Sequence, residues 1–218
     1  MWFKHLIIFQ ILFYSSISSS RDQLCPNDMV YSGNGVCIDR FEFPNKRGIK
    51  PFVSASAIKE SDNILYFSAE NLCKSVGKRI CTRHEWISAC KGANNSIYPY
   101  GNKPDLNACN TNKHWRVWDI YKVAKRDNIT LKYLDQSEPS GSRETCVSAI
   151  GAYDMVGNAE EWVKCDTGKY GYCLVGGYWV NEKPPSCNYS IIVHAGNFHH
   201  YGSSFRCCSD IQSFNKEK

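Results

Sequence analysis

Twelve cysteines are the most reactive feature of this 218-residue chain. A thiolate can be a nucleophile, a soft-metal ligand or half of a disulfide, and its compartment and neighbours decide which. The twelve include one adjacent pair, Cys207-Cys208, and no CxxC. A second feature is Asp154, followed by the flexible turn Gly157-Asn158 and then Glu161. Two carboxylates around such a turn, with main-chain carbonyls between them, can wrap a hard cation such as calcium. A turn followed by an exposed acidic pair is the plainer explanation. A third feature is the trio His194, His199 and His200. Imidazoles suit iron, copper or zinc, but a polar loop on a binding face accounts for three histidines more simply. Glu85 and Glu161 could work as an acid–base pair; helix capping and calcium explain them better.

These residues need elements to position them. Residues 68–76 predict a helix, with Ser68 as N-cap, Glu70 in the first turn, Leu72 and Val76 on one face, and Gly77 as the stop. Residues 83–91 predict a second. Thr82 and Glu85 form a capping box there, and Trp86, Ala89 and Cys90 face inward at helical spacing. Tyr98-Pro99-Tyr100-Gly101-Asn102 is a turn signal. Residues 103–143, rich in Asn, Asp and Lys, read as a long surface excursion. Alternation predicts a strand over 173–179 and a terminal strand over 205–208. Scattered Gly and aromatic residues suit a loop-rich α+β domain with little regular structure.

Residues 1–20 read as a signal peptide: Lys4 and His5, then an apolar run over 6–14, then Ser18-Ser19-Ser20. That run is about half of the roughly 20 residues a membrane-spanning helix needs, so no membrane span is expected. The expected organisation is a leader over 1–20, one domain over 21–211 and a polar tail over 212–218. In an exported chain, an even number of cysteines predicts six disulfides in an oxidising compartment, extracellular or periplasmic. The formal net charge of +5, with no unbroken basic run, does not predict nucleic-acid binding. The sequons at Asn94, Asn128 and Asn188 are close to what chance supplies.

Four segments resemble one family in the right order. Gly77-Lys78-Arg79-Ile80-Cys81-Thr82-Arg83-His84-Glu85-Trp86 is similar to the G-K-R-L-x-T-x-x-E-W signature of the formylglycine-generating enzymes, or sulfatase-modifying factors. Residues 98–102 resemble its Y-P-W-G-N, and residues 151–162 its G-L-Y-D-M-x-G-N-x-W-E-W. Val175-Gly176-Gly177-Tyr178-Trp179 and Ser204-Phe205-Arg206-Cys207 resemble its R-G-G-S-W and G-F-R-C. Residues 25–30 and 37–42 look like the family's opening. The resemblance implies a disulfide-rich variant of the C-type-lectin fold.

It also implies roles for individual residues. Calcium would be held by Asp154 and Glu161 side chains with carbonyls of Gly157 and Ala159, and a second family calcium site would include Asn110. By the family's motifs Cys73 pairs with Cys207 and Cys90 with Cys187. Cys81, where the family usually has Pro, then goes with Cys208, although exchange between Cys207 and Cys208 stays open. The remaining pairs would be local: Cys25 with Cys37, Cys109 with Cys146 and Cys165 with Cys173. Family enzymes oxidise a sulfatase cysteine with oxygen and a copper(I) ion on two cysteines after R-G-G-S-W. The first of those positions falls on Asn181 and the second within Pro184-Pro185-Ser186, so no copper pair is expected. The expectation is therefore an exported, monomeric, calcium-stabilised binding module, its groove over 178–204 taking a protein or peptide, a sulfatase being one candidate. The alternative is an active copper-dependent oxidase built from Cys187 and one of Cys207 or Cys208.

Overall fold

The computed structural model describes residues 24–53, 66–125, 127–198 and 200–211. The leader over 1–20, the tail over 212–218 and His199 lie outside the described residues. Eight short strands and four helices make an α+β fold: β1 (Met29–Gly33), β2 (Val36–Asp39), α1 (Tyr66–Ser75), β3 (Arg79–Ile80), α2 (Arg83–Lys91), α3 (Ile120–Ala124), α4 (Asn128–Leu134), β4 (Glu160–Lys164), β5 (Tyr172–Val175), β6 (Ser190–Ile191), β7 (Ser203–Phe205) and β8 (Cys207–Asp210).

The strands form two four-stranded sheets, ordered β1-β2-β8-β3 and β6-β5-β4-β7. All pairings are antiparallel except that of β4 with β7. The terminal strand expected over 205–208 is in fact two strands, one in each sheet, with Arg206 as the single residue between them. The strand expected over 173–179 stops at Val175, because Gly176 and Gly177 take positive φ values of 81° and 64° and turn the chain out of the sheet.

Helix α2 begins at Thr82, whose side chain accepts from the Glu85 N–H while Glu85 returns a bond to the Thr82 N–H, and Trp86, Ala89 and Cys90 are buried. Helix α1 buries Tyr66, Ala69 and Cys73, whereas Val76 is half exposed, so the inward face is set by a different phase from the expected Leu72–Val76 stripe. The segment 103–143 is not only a surface excursion. It contains α3 and α4, and Leu131 and Leu134 of α4 are buried against Trp179 and Tyr201.

Three fully buried tryptophans organise the core, with Trp86, Trp162 and Trp179 each in a separate apolar cluster. All twelve cysteines are bonded, as Cys25–Cys37, Cys73–Cys207, Cys81–Cys208, Cys90–Cys187, Cys109–Cys146 and Cys165–Cys173. Two of these bonds tie β8 to α1 and to the α2 entry. Another fixes the end of α2 to the loop after β5. With so little regular secondary structure, covalent closure compensates for a small hydrogen-bonded framework. Among the described residues no helix is long and apolar enough to cross a membrane.

Candidate functional site

Two regions hold the residues singled out by the sequence. The first is a buried acidic centre where the two sheets meet. Glu161, on β4, is fully buried: its Oε2 accepts from Trp86 Nε1 at 2.8 Å and from Arg206 Nε at 2.7 Å, and its Oε1 accepts from Arg206 at 2.7 Å. Arg206 is equally buried and also donates to the Asp39 carbonyl at 3.2 Å and the Tyr153 carbonyl at 2.9 Å. Asp154, held at a left-handed φ of 54°, accepts from the Gly141 N–H at 2.7 Å. Glu42 completes the centre, accepting from Ser140 Oγ at 2.9 Å, Asn158 Nδ2 at 2.8 Å and the Ala159 N–H at 3.1 Å.

Glu161 alone bonds the Arg206 guanidinium, and Glu42 and Asp154 feel its charge from farther off. Burial, then the nearby Asp154 and Glu161 charges, pushes Glu42 well above the usual carboxylate range. Burial likewise pushes Asp154 up to about 6. The calcium set expected from Asp154, Gly157, Ala159 and Glu161 does not fit this arrangement. Glu161 already accepts three donors, and a cation against it would face the Arg206 guanidinium at hydrogen-bond distance. Among the described residues no three His, Cys, Asp or Glu side chains converge as a metal site. Asn110 is buried, with its amide N–H groups donating to the Gln136 carbonyl and Asn158 Oδ1, while its own Oδ1 has no protein partner. Glu85 serves its helix cap and a two-pronged bond from Arg79 at 2.7 and 2.9 Å, so it does not pair with Glu161 in acid–base work.

The second region is an open groove of about 680 Å³, lined in part by Tyr98, Trp115, Tyr178, Asn181, Pro185 and Tyr189. Its floor is the turn after β5. Asn181 Oδ1 accepts from the Tyr178 N–H at 2.7 Å, and a Cβ on Gly177 would lie 2.6 Å from that oxygen, so only glycine lets the turn close. Asn181 and the run Pro184-Pro185-Ser186, where the resemblance places a copper pair, offer no thiol. The adjacent Cys187 is bonded to Cys90. Tyr98 stacks on Tyr100 at 5.4 Å with planes 6° apart, which stiffens one wall.

Of the trio, His194 and His200 are among the described residues, and each makes its own contacts. His194 stacks on Phe198 at 3.5 Å between centroids, and His200 Nδ1 lies 3.0 Å from Glu160 Oε1, with its ring edge-on to Tyr178. Sequence reasoning left Glu42, Arg206, Glu160 and Trp115 without a role. Arg206 alone carried a signal, being a charge in the otherwise uncharged run Ser203-Ser204-Phe205-Arg206-Cys207-Cys208.

Comparison with known proteins reproduces this architecture. CarF superposes with a TM-score of 0.54 at 16% identity, covering 80% of this chain and 86% of its own. PvdO from Pseudomonas aeruginosa gives 0.51 at 15% identity, with 80% of each chain covered. Treponema denticola variable protein 1 gives 0.54 at 12% identity, covering 84% and 91%. At these identities the likeness concerns the fold. No curated protein is similar enough in sequence to match the chain. The profile of the sulfatase-modifying factor enzyme 1-like domain matches residues 38–213. With its motifs in order, its two four-stranded sheets and that match over most of its length, the chain belongs to the sulfatase-modifying factor enzyme 1-like family.

Proposed function

We propose that this is an exported sulfatase-modifying-factor-like domain that has given up cysteine oxidation and uses its groove to bind a protein or peptide. The observation that carries this reading is the commitment of all twelve cysteines to disulfides, Cys187 among them. Copper(I) chemistry of the family's kind needs two soft thiolates, and the groove has Asn181 and Pro184-Pro185-Ser186 at the matching positions. What the groove does offer is aromatic: Tyr98, Trp115, Tyr178 and Tyr189, with Pro184 and Pro185 along one side. Rigid aromatic walls with few free charged groups suit an extended peptide, whose apolar side chains and prolines stack on rings.

Thiol counting on the native protein, unfolded without reductant, tests the reading. No free thiol and no oxygen uptake with a cysteine-containing sulfatase peptide are expected. Two free thiols that bind copper(I) would instead establish the oxidase alternative. For the binding role, peptides selected from a displayed library should lose at least tenfold in affinity for the Tyr98→Ala/Tyr189→Ala protein. Selection of no peptide, or peptides indifferent to both changes, would rule the groove out.

A further inference from the structure

We propose that residues 113–125 and 127–134 form a docking surface for an anionic lipid bilayer. The sequence over 113–134 holds six basic residues, Lys113, Arg116, Lys122, Lys125, Arg126 and Lys132, against the acidic Asp119 and Asp127. It is therefore +4, while the other 20 basic and 19 acidic residues of the chain sum to +1. Almost the whole net charge of the protein sits in this one stretch.

Of the six cations Lys113 is paired with Glu138 at 2.8 Å, and the two acids are helix caps, Asp127 within the field of Lys122. Asp119 Oδ1 accepts from the Tyr121 N–H at 2.8 Å as the cap of α3, and Asp127 Oδ1 accepts from the Thr130 N–H at 2.8 Å as the cap of α4. Lys122, Lys125 and Lys132 are exposed and form no ion pair among the described residues. Interleaved with these cations are apolar side chains that the fold leaves in water: Val117 is 83% exposed, Ile129 80% and Tyr121 76%. Trp115 and Tyr133 are about half exposed.

The 115–118 stretch is held against α4, and α3 packs on α4. Trp115 and Val117 alternate with the partly buried Arg116 and Trp118. The Arg116 guanidinium stacks over the Tyr133 ring at 5.1 Å and donates to the Tyr133 carbonyl, which fixes that stretch against the end of α4. Ile129 and Tyr133 are one helical turn apart on the side of α4 away from the buried Leu131 and Leu134.

Each class of anionic partner would use this surface differently. A sulfated polysaccharide would engage the cations and gain nothing from Val117 or Ile129. A folded acidic protein would meet the cations only with a complementary surface of its own, and would bind without any lipid. A bilayer uses all of it: cations meet the headgroups, aliphatic side chains enter the acyl boundary, and Trp and Tyr settle between. Because Trp115 lines both patch and groove, docking would hold the groove at the membrane surface. The proposal stands whatever the groove binds.

The test is co-sedimentation of glycan-free protein, since the Asn128 sequon lies inside the patch. Vesicles of phosphatidylcholine alone are compared with vesicles containing about 30% phosphatidylserine. Binding should need phosphatidylserine and weaken as salt rises. The Lys122→Gln/Lys125→Gln/Lys132→Gln protein should bind about a hundredfold more weakly, at the energy typical of each basic residue near a charged membrane. The charge-neutral pair Val117→Ser/Ile129→Ser should lose about tenfold, which a purely electrostatic contact would not. All five positions are exposed, and unchanged circular dichroism confirms the fold. Wild-type protein that ignores the anionic vesicles, or that binds heparin but no vesicle, overturns the proposal, as does a serine pair that binds undiminished.

Discussion

Replacing Arg206 with Met tests whether the buried acidic centre holds the two sheets together. Met keeps much of the side-chain volume and deletes the charge. Breaking one partner of a fully buried pair costs about 3–5 kcal/mol, because the abandoned charge stays buried. Arg206 also donates to the Asp39 and Tyr153 carbonyls, and each lost bond adds on the order of 1 kcal/mol. A total near 5 kcal/mol or more is comparable with the roughly 5–15 kcal/mol that a whole domain has. The assay is guanidinium unfolding at neutral pH with disulfides intact, read as midpoint and slope. Adding Glu161→Gln removes the stranded charge while keeping an acceptor for Trp86, and should recover about 2 kcal/mol. The single variant should also lose less at pH 5 than at pH 8, because Arg206 is the charge that pulls Glu42 and Asp154 downward. A loss below about 1 kcal/mol, or a double variant no better than the single, would refute the reasoning.

Removing divalent cations with EDTA should leave the melting temperature unchanged; a drop of several degrees, restored by calcium, would show that Glu161 releases Arg206 to hold the ion. Glu138 is held down to about 2 by hydrogen bonds from Arg143 and Lys113, the burial that opposes this being outweighed. Its depressed value contributes stability above the ordinary carboxylate range that is lost as pH falls through about 2. Glu138→Gln should therefore cost about 1–2 kcal/mol at pH 7 and close to nothing near pH 2, measured by denaturant melts. Asp39 has the opposite sign, since burial raises it to about 6 despite the Lys78 ammonium at 2.6 Å. Its contribution is fully present below about 4 and fades as pH rises through about 6, so Asp39→Asn should flatten the stability profile between those values.

The sequence made helix α2 readable because every local signal agreed: a capping box, an apolar stripe and a closing glycine. It also showed the positions lacking copper thiolates, since Asn181 and the run Pro184-Pro185-Ser186 can be read directly once the Gly176-Gly177-Tyr178-Trp179 motif sets the register. The split of the last strand was hidden, because nothing local marks Arg206 as the residue where the chain leaves one sheet for the other. The partners of Glu161 were hidden for the same reason: Trp86 and Arg206 lie 75 and 45 residues away. Without them, a carboxylate after a glycine turn reads as a calcium ligand. Helix α4 was concealed in a polar stretch because only Leu131 and Leu134 reach the core, too few to show a period.

The position of β8 has a consequence for biogenesis. It lies between β2 and β3, so the first sheet stays open until β8 has been synthesised. Cys73 and Cys81 are made 134 and 127 residues ahead of their partners, Cys207 and Cys208. In the exported chain proposed above, two thiols destined for the core would enter an oxidising compartment ahead of their partners, alongside eight others, so early oxidation can join them wrongly and a disulfide isomerase should speed maturation.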